Sequence, residues 1–363
     1  MNYNNIRRKT RKIQVGNITI GADSPISIQS MTNTDSHDIE ATYMQVSALE
    51  KAGVDIVRLA LPDIESAKTI SKLKDRGISV PLVADIHFDY KIALAAAECS
   101  VDKIRINPGN IGSDEKVKAV ANMCRNKKIP IRIGVNSGSL ENHILKKYGA
   151  PTPEALAESA LYHASLLEKY DFNDIVISIK SSHVLSMKKA SELVAERCDY
   201  PLHIGVTESG RGEDGLIKSA AGIGSLLLSG IGDTIRISLT DDPVKEVYYE
   251  KKLLRALELT NDNYINIISC PTCGRTRIDL INICKELENR LCEIGTPDKK
   301  LTVAVMGCAV NGLGEAREAD IGVAGGDREA LLFSHGKIIR KIPEDSVVDE
   351  LISEIKKLTK KEG

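Results

Sequence analysis

Tryptophan is absent from this sequence, and Phe, Trp and Tyr together make up only 4% of its residues. So few aromatic rings argue against the stacking surfaces on which proteins bind single-stranded nucleic acid. Neither sign of charge is in excess, because 49 Lys and Arg residues face 50 Asp and Glu residues. A near-neutral chain lacks the basic balance that binding to a phosphate backbone favours. We therefore expect no nucleic-acid partner.

Long apolar segments are missing as well. The most apolar stretch, residues 220–231, is interrupted by Gly and Ser and is too short to cross a bilayer. No apolar segment follows the basic residues 7–12, so the sequence predicts no signal peptide. These absences favour a cytoplasmic protein without a membrane partner. In that reducing compartment the eight cysteines are not expected to form disulfides.

A strand-then-helix alternation occupies residues 25–259. Candidate strands are 25–31, 55–61, 80–85, 102–107, 130–135, 174–179, 201–206 and 233–238, and a helical pattern follows each one. Eight such units over roughly 235 residues are typical of an α/β protein with a TIM (β/α)8 barrel. A doubly wound open sheet is the alternative, but the Gly-rich fingerprint after its first strand is absent. Residues 13–20 predict a hairpin around Gly16-Asn17, which can cap the bottom of the barrel.

Polar, turn-forming residues at 259–266 predict a domain boundary. We therefore assign residues 1–260 to a barrel that binds the substrate and residues 261–363 to a small α+β domain. In the second domain we expect a strand before the Cys270-Pro271-Thr272-Cys273 turn and a helix near 276–293. Strands at 301–306, 320–324 and 336–341 and a helix at 346–361 complete it.

Basic residues occupy the centres or ends of five predicted barrel strands. They are Arg58, Arg105, Arg132, Arg236 and Lys180. A buried guanidinium group is costly without a partner, and Arg donates two hydrogen bonds at once to phosphate oxygens. We therefore predict a ligand that carries more than one phosphate. The competing interpretation is that each Arg pairs with a local carboxylate, such as Asp63, Asp85 or Glu208.

Other polar side chains follow the predicted strands, at the face where TIM barrels bind their substrates. They are Gln29, Ser30, Asp85, His87, Asn107, Asn136, His203, Glu208 and Ser238. Glu208 lies in a polar loop among cations and is the candidate for proton delivery or orientation. His203 lies within a strand and is equally well explained as a core residue.

Five of the eight cysteines fall within residues 270–308. Cys270 and Cys273 form a C-x-x-C turn, and Cys308 follows a glycine. Three thiolates with one weaker ligand suit a [4Fe–4S] cluster whose fourth iron can bind a substrate oxygen. The weaker ligand can be the carboxylate of Glu315, although on spacing alone Cys284 or Cys292 can replace it. A structural zinc ribbon needs a second C-x-x-C pair, and this sequence has none. A thioredoxin-like dithiol at Cys270 and Cys273 is a further alternative.

Six segments resemble the bacterial (E)-4-hydroxy-3-methylbut-2-enyl diphosphate synthases in their two-domain form, and the resemblance extends along essentially the whole chain. The segments are SIQSMTNTD (27–35), ADIHFD (84–89), IRINPGN (104–110), IGVNSGS (133–139), SCPTCGR (269–275) and MGCAVNGLGEA (306–316). Motifs of this length in this order are specific. The resemblance implies a TIM barrel followed by a small α+β iron–sulfur domain.

The resemblance also implies a reaction and its residues. The substrate would be 2-C-methyl-D-erythritol 2,4-cyclodiphosphate, which undergoes two-electron reductive ring opening with loss of water in the non-mevalonate isoprenoid pathway. The diphosphate-binding residues of the family match Arg58, His87, Arg105, Asn107, Arg132, Asn136, Lys180, Arg236 and Ser238. Its acidic pocket residues match Asp85 and Glu208, and its [4Fe–4S] ligands match Cys270, Cys273, Cys308 and Glu315. Flavodoxin or ferredoxin would donate the electrons, and the enzyme would be a homodimer.

Two other functions fit parts of the pattern. A [4Fe–4S] hydro-lyase of the aconitase kind, acting on a phosphorylated substrate, would remove hydroxide without any external reductant. A zinc-stabilised phosphate-binding protein would use the same cations without catalysis.

Overall fold

The computed structural model of the protein describes residues 6–260, 262–291 and 294–359, without the side chains of Pro108, Gly109, Ser139, Asn311, Leu313 and Glu315. The chain forms two compact units, and the boundary between them follows Thr260. Within the described ranges, the helices are all too short or too polar to span a membrane.

Eight parallel strands close a barrel in the first unit, after a short hairpin of β1 (Ile13–Val15) and β2 (Ile18–Ile20). The barrel strands are β3 (Ser27–Met31), β4 (Ile56–Ala60), β5 (Leu82–Asp85), β6 (Lys103–Ile106), β7 (Ile131–Asn136), β8 (Ile175–Lys180), β9 (Leu202–Ile204) and β10 (Thr234–Ile235). The last strand, β10, pairs with both β9 and β3, which closes the ring. The predicted TIM barrel is therefore confirmed, and the open sheet is excluded.

Ten α-helices are described in this unit. They are α1 (Ile39–Lys51), α2 (Lys68–Asp75), α3 (Tyr90–Glu98), α4 (Pro108–Ile111), α5 (Asp114–Lys127), α6 (Asn142–Tyr148), α7 (Pro153–Glu168), α8 (Val184–Ala195), α9 (Gly212–Leu227) and α10 (Pro243–Ala256). Local signals fix several of their starts: Asp242 caps α10 by accepting from the Val244 N–H, and Pro243 occupies its first turn. The sequence did not predict α4 and α6, because four and seven residues are too few to show a helical period.

The hairpin fills the amino-terminal end of the barrel. Ile13, Val15 and Ile20 are buried against Ile56, Val83 and Val176, which point inward from β4, β5 and β8. These apolar side chains form what we call the barrel floor. The floor keeps water out of the lower barrel, so polar groups above it are desolvated from below.

The second unit contains a five-stranded mixed sheet in the order β11 (Ile265–Ser269), β12 (Leu301–Met306), β13 (Ile321–Gly325), β14 (Glu329–Ser334) and β15 (Lys337–Pro343). The first three strands are parallel, and the last two are antiparallel to their neighbours. Helices α11 (Leu280–Leu291) and α13 (Val347–Thr359) cover one face with a buried apolar cluster. The short α12 (Ala309–Glu315) follows β12. The arrangement is α+β, as expected.

Strand β14 is an element that the sequence analysis missed. It forms a hairpin with β15 through His335 and Gly336, and both residues have positive φ, at 47° and 72°. Two-residue loops of this conformation match the twist of antiparallel strands. The apolar run Ala330-Leu331-Leu332-Phe333 before this loop was the available signal.

The barrel floor gives a stability prediction. Replacing Ile20 by Ala removes a fully buried side chain from the floor, which should lower the free energy of unfolding by about 2–5 kcal/mol. The measurement is urea unfolding followed by circular dichroism. Ile217→Ala is the matched control, because Ile217 on α9 is exposed, and this variant should stay within about 0.5 kcal/mol of the parent. Equal losses in the two variants would contradict the floor as described.

Candidate functional site

A pocket opens at the carboxyl-terminal end of the barrel, and cations dominate its lining. Its walls are Arg58, Arg105, Arg132, Gly134, Asn136, Ser178, Lys180, Thr207, Arg236 and Ser238. The structure thus brings together all four predicted Arg residues, Lys180, Asn136 and Ser238. Gly134, Ser178 and Thr207 are additional lining residues. The geometry can bind an anion of high charge, because several guanidinium groups converge on one space.

The four Arg side chains do not lie at one level. Successive layers of a TIM barrel interior are built from alternate strands. Arg58, Arg105 and Arg236 belong to alternate strands, β4, β6 and the continuation of β10. Arg132 lies on the intervening strand β7 and pairs in register with Arg105, so the strand tilt places it one layer deeper. Its exposed fraction of 1% agrees with a position at the base of the pocket.

Asp85 holds two of these Arg residues in place. Its Oδ2 accepts from Arg58 Nη2 at 2.6 Å, and its Oδ1 accepts from Arg105 Nη1 at 3.2 Å. Burial acts to raise the pKa of Asp85, but Arg58, His87 and Arg105 hold it well below its ordinary value. The competing interpretation of the Arg pattern therefore holds for these two Arg residues. Because Asp85 is ionised and occupied on both oxygens, its geometry favours orienting the guanidinium groups over donating a proton.

Arg132 and Lys180 have no such carboxylate. Within the described ranges, neither forms a salt bridge, and Arg132 Nε and Nη1 are buried without a hydrogen-bond partner. Burial lowers the pKa of Lys180 well below its ordinary value, and the charges of Arg236 and Arg58 act in the same direction. An incoming anion would satisfy both residues, because it supplies the charge that the protein lacks here.

Glycines make room for two of the cations. A Cβ at Gly134 would overlap the guanidinium group of Arg105, whose Nη2 donates to the Gly134 carbonyl at 3.1 Å. A Cβ at Gly205 would collide with the Arg236 carbonyl oxygen and approach Lys180 Nζ. Both glycines therefore permit the backbone to pass close to a cation.

Two glutamates of α10 support the segment that carries Arg236 and Ser238. Regular strand β10 ends at Ile235, and the Arg236 N–H still donates to the Ile204 carbonyl of β9, but the N–H groups of Ile237 and Leu239 turn to the helix. Glu250 accepts from the Ile237 N–H at 2.7 Å, and Glu246 accepts from the Leu239 N–H at 3.0 Å. Glu246 also lies 3.5 Å from Arg236 Nη2 and accepts from the Ser30 hydroxyl at 3.0 Å. Sequence reasoning missed both glutamates, although their i, i+4 spacing on a helix was a signal for one shared face.

The rim of the barrel carries the remaining predicted residues. His87 is exposed, with Nε2 3.5 Å from Asp85 Oδ2, and Asn107 is buried after β6. Glu208 is exposed with a φ of 51°, a conformation that costs a non-glycine residue energy and clusters at functional sites. The next residue, Ser209, donates to the Ser238 carbonyl, which fixes this loop beside the pocket. His87, Asn107 and Glu208 are thus placed near the pocket but do not form its deep lining.

In the second unit, two cysteines lie at the ends of neighbouring parallel strands. Cys270 follows β11, and Cys308 follows Gly307 after β12, whose residue Val305 pairs with Ser269. The Gly307 N–H donates to Cys270 Sγ at 3.2 Å, so the two loops touch. The Arg277 N–H donates to the Gly307 carbonyl at 2.8 Å and closes the turn over it.

Cys273 lies at the exposed tip of this turn. Hydrogen bonds from the Arg275 backbone and side chain lower the pKa of its thiol. The set of Cys270, Cys273 and Cys308 fits a group that binds thiolates, because the N–H donor at Cys270 Sγ and the lowered pKa of Cys273 both favour the ionised form. Among the described residues, no three metal-ligating side chains are gathered around one point. A cluster does not require ligands that converge on a single metal ion, because each of its ligands binds a different iron atom.

The fourth ligand stays a prediction. The side chain of Glu315 and all of Cys292 lie outside the described residues. Cys284 is half-buried in the cluster of apolar residues between α11 and the sheet, where burial raises the pKa of its thiol. A packing role for Cys284 is therefore favoured over ligation.

Comparison with known proteins finds two matching domain models, both of the GcpE family. The GcpE TIM-barrel domain matches residues 10–251, and the GcpE protein C-terminal domain matches residues 266–357. A 4-hydroxy-3-methylbut-2-en-1-yl diphosphate synthase (flavodoxin) of Ruminiclostridium cellulolyticum is 55% identical over 352 residues, covering 97% of this chain and 98% of the relative. The corresponding protein of Clostridium perfringens is 57% identical over 346 residues, covering 95% and 98%.

A solved structure supports the barrel alone. The type I 3-dehydroquinate dehydratase of Clostridium difficile superimposes with a TM-score of 0.51 at 16% identity, covering 69% of this chain and all of that chain. At this identity the likeness concerns the fold and carries no functional information.

The contact between Gly134 and Arg105 gives a binding prediction. Gly134→Ala should displace the Arg105 guanidinium group and weaken the binding of inorganic pyrophosphate about tenfold or more, because a charge-assisted hydrogen bond contributes ~1.5–3 kcal/mol. Titration calorimetry measures the affinity. Gly138→Ala is the matched control, because a Cβ there meets no atom within 4 Å. Unchanged affinity in Gly134→Ala would show that Arg105 does not contact the anion.

Proposed function

This chain belongs to the GcpE family, and from that premise we propose that it is the enzyme that opens 2-C-methyl-D-erythritol 2,4-cyclodiphosphate reductively. The product is (E)-4-hydroxy-3-methylbut-2-enyl diphosphate, formed with loss of water in the non-mevalonate isoprenoid pathway. Relatives that carry the synthase name match this chain over nearly their whole length. An aconitase-like hydro-lyase is not favoured by these relatives.

The observation that carries the proposal is the cation pocket of the barrel. Arg132 and Lys180 are buried without carboxylate partners among the described residues, and both line the same space as Arg58, Arg105 and Arg236. A cyclic diphosphate brings two phosphates at a fixed separation, so a rigid set of guanidinium groups can bind both at once. Asn136 and Ser238 add neutral hydrogen-bonding groups to the same lining.

We propose that the second unit holds a [4Fe–4S] cluster on Cys270, Cys273, Cys308 and Glu315. Such a cluster, when bound, supplies electrons one at a time and a Lewis-acidic iron for an oxygen of the substrate. The support for the ligand set comes from the loop contact between Gly307 and Cys270 and from the lowered pKa of Cys273. The assignment of Glu315 rests on its match to the family motif.

The residues of the barrel have separate roles in this proposal. Arg58, Arg105, Arg132, Arg236 and Lys180 bind the diphosphate, with Asn107, Asn136, His87 and Ser238 beside them. Asp85 orients Arg58 and Arg105 through the two hydrogen bonds described above. Loss of the substrate hydroxyl as water consumes a proton, and Glu208 on the strained rim loop is the proposed proton carrier.

The partners follow from the same family membership. The names of the relatives indicate flavodoxin, so we propose flavodoxin, with ferredoxin as the alternative one-electron donor. We also propose that the protein is cytoplasmic and binds neither nucleic acid nor membrane, as the sequence composition predicts, and that it is a homodimer, as the family resemblance implies.

The reductant requirement tests the function directly. The purified protein, reconstituted anaerobically with iron and sulfide, should convert the cyclic diphosphate only when reduced flavodoxin is present. Mass spectrometry of the reaction mixture identifies (E)-4-hydroxy-3-methylbut-2-enyl diphosphate. Dehydration of the substrate without any electron donor would overturn the proposal and indicate a hydro-lyase.

A cysteine substitution tests the cluster. Cys273→Ser should lose more than about 90% of the iron and acid-labile sulfide, because serine is a poor ligand for iron of this type. The far-ultraviolet circular dichroism should be unchanged, since Cys273 is exposed on a loop. Cys99→Ser, in the barrel unit after α3, is the control and should retain its iron. Retention of iron in Cys273→Ser would remove this residue from the ligand set.

A further inference from the structure

Lys103 lies inside the barrel, below the cation pocket and outside its lining. It precedes Arg105 by two residues on β6, so both side chains point inward. Its register partner is Val83, which belongs to the barrel floor. The side chain is therefore one layer below Arg132, and it is completely buried. The sequence signal for it was the alternation Lys103-Ile104-Arg105-Ile106.

The amine of Lys103 has no hydrogen-bond partner within the described residues. Below it lies the apolar floor, to which the hairpin contributes Ile13, Val15 and Ile20. An ammonium group in such a place is costly without a counter-charge, whereas a neutral amine is tolerated. The charge on Lys103 therefore depends on what occupies the space above it.

The charges above Lys103 are mostly positive. The ionisable groups that face the barrel interior from the strands are Arg58, Asp85, Arg105, Arg132, Lys180, His203 and Arg236, and Glu246 reaches Arg236 from α10. Arg side chains do not release their protons in proteins. Burial and the nearby charges of Arg132 and Arg58 lower the pKa of Lys103 well below its ordinary value. Burial and the positive charge of Arg132 also lower the pKa of His203, which is hydrogen-bonded to Thr234.

We propose that Lys103 takes up a proton from solvent when a phosphate-bearing ligand enters the pocket, so that anion binding and the charge of this buried amine are linked. The step converts a neutral amine and one proton into an ammonium group, and no other bond changes. The proposal deepens the proposed function, since it rests on the pocket being an anion site. Lys103 would then help to determine which ligand charge the pocket prefers, although it lies beneath the residues in contact with the ligand.

The sign of the linkage is fixed. The complex holds more protons than the empty protein, so raising the pH opposes binding. Affinity should fall by up to about tenfold per pH unit for each proton taken up. This dependence applies between the pKa of Lys103 in the empty barrel and its higher value in the complex. Outside that range the charge of Lys103 is the same in both states, and its contribution to the slope disappears.

The experiment is titration calorimetry of the cluster-loaded protein with sulfate, under anaerobic conditions. Sulfate is a suitable probe because it stays a dianion throughout the neutral pH range, so any proton uptake belongs to the protein. Titrations in two buffers of different ionisation enthalpy at one pH give the number of protons bound per sulfate. Lys103→Met removes the amine, and Lys118→Met, on the exposed side of α5, is the matched control.

The parent protein and Lys118→Met should take up the same number of protons, and Lys103→Met should take up fewer, by as much as one. Lys103→Met should also bind sulfate with a weaker dependence on pH. Its unfolding temperature should not fall, because methionine suits the apolar floor. Lys103→Gln provides a second variant without an ionisable amine.

Equal proton uptake in the parent and in a Lys103 variant would overturn the proposal and assign the uptake to Lys180 or His203. Absence of proton uptake in the parent would overturn it without any variant. Neither outcome bears on the proposed reaction, since turnover of the cyclic diphosphate is measured separately. Conversely, sulfate-linked uptake at Lys103 would stand even if the protein failed to convert that substrate.

Discussion

Positive charge buried with too few carboxylates is the constraint on which the barrel depends. Arg132 and Lys180 are at least nine-tenths buried, and neither forms a salt bridge within the described residues. Asp85 forms ion pairs with Arg58 and Arg105, and Glu246 forms one with Arg236. These two carboxylates are therefore already paired with other Arg residues. A fold that keeps this arrangement gives up stability locally in exchange for a prepared anion site. The loss is compensated by the large apolar layer between strands and helices.

Several features of the barrel follow from that constraint. The hairpin floor excludes water below the cations, and the low local dielectric strengthens each of their interactions with an anion. Gly134 leaves room for the Arg105 guanidinium group, and Gly205 leaves room for the Arg236 carbonyl and the Lys180 amine. The glutamates of α10 take the place of strand partners for the N–H groups of Ile237 and Leu239, and this holds the segment that presents Arg236 and Ser238. Helix, strand and floor therefore all contribute to the same pocket.

In the second unit, as in the barrel, the ends of neighbouring strands position the candidate functional side chains. Neighbouring parallel strands end at the same edge of a sheet, and this geometry brings Cys270 and the Cys308 loop together. Thiolates need N–H donors more than they need burial, and the Gly307 N–H and the Arg275 backbone provide them. An exposed cysteine with a lowered pKa is suited to bind a metal cluster, whereas the buried Cys124, whose pKa burial raises to about 12, is not.

The sequence by itself determined the barrel, the five inward-facing cations and the cysteine motif, because all three are periodic or local patterns. Strand after strand repeats one alternation, so this alternation alone assigns Arg58, Arg105, Arg132 and Arg236 to the barrel interior. The sequence could not determine depth, because depth depends on strand tilt and register, which separate Arg132 from its three counterparts. Nor could it establish the roles of Glu246, Glu250 and Lys103, although their spacing was a signal. Their importance arises from what lies across the barrel wall or beneath the pocket, and only tertiary structure decides which distant groups share a desolvated space.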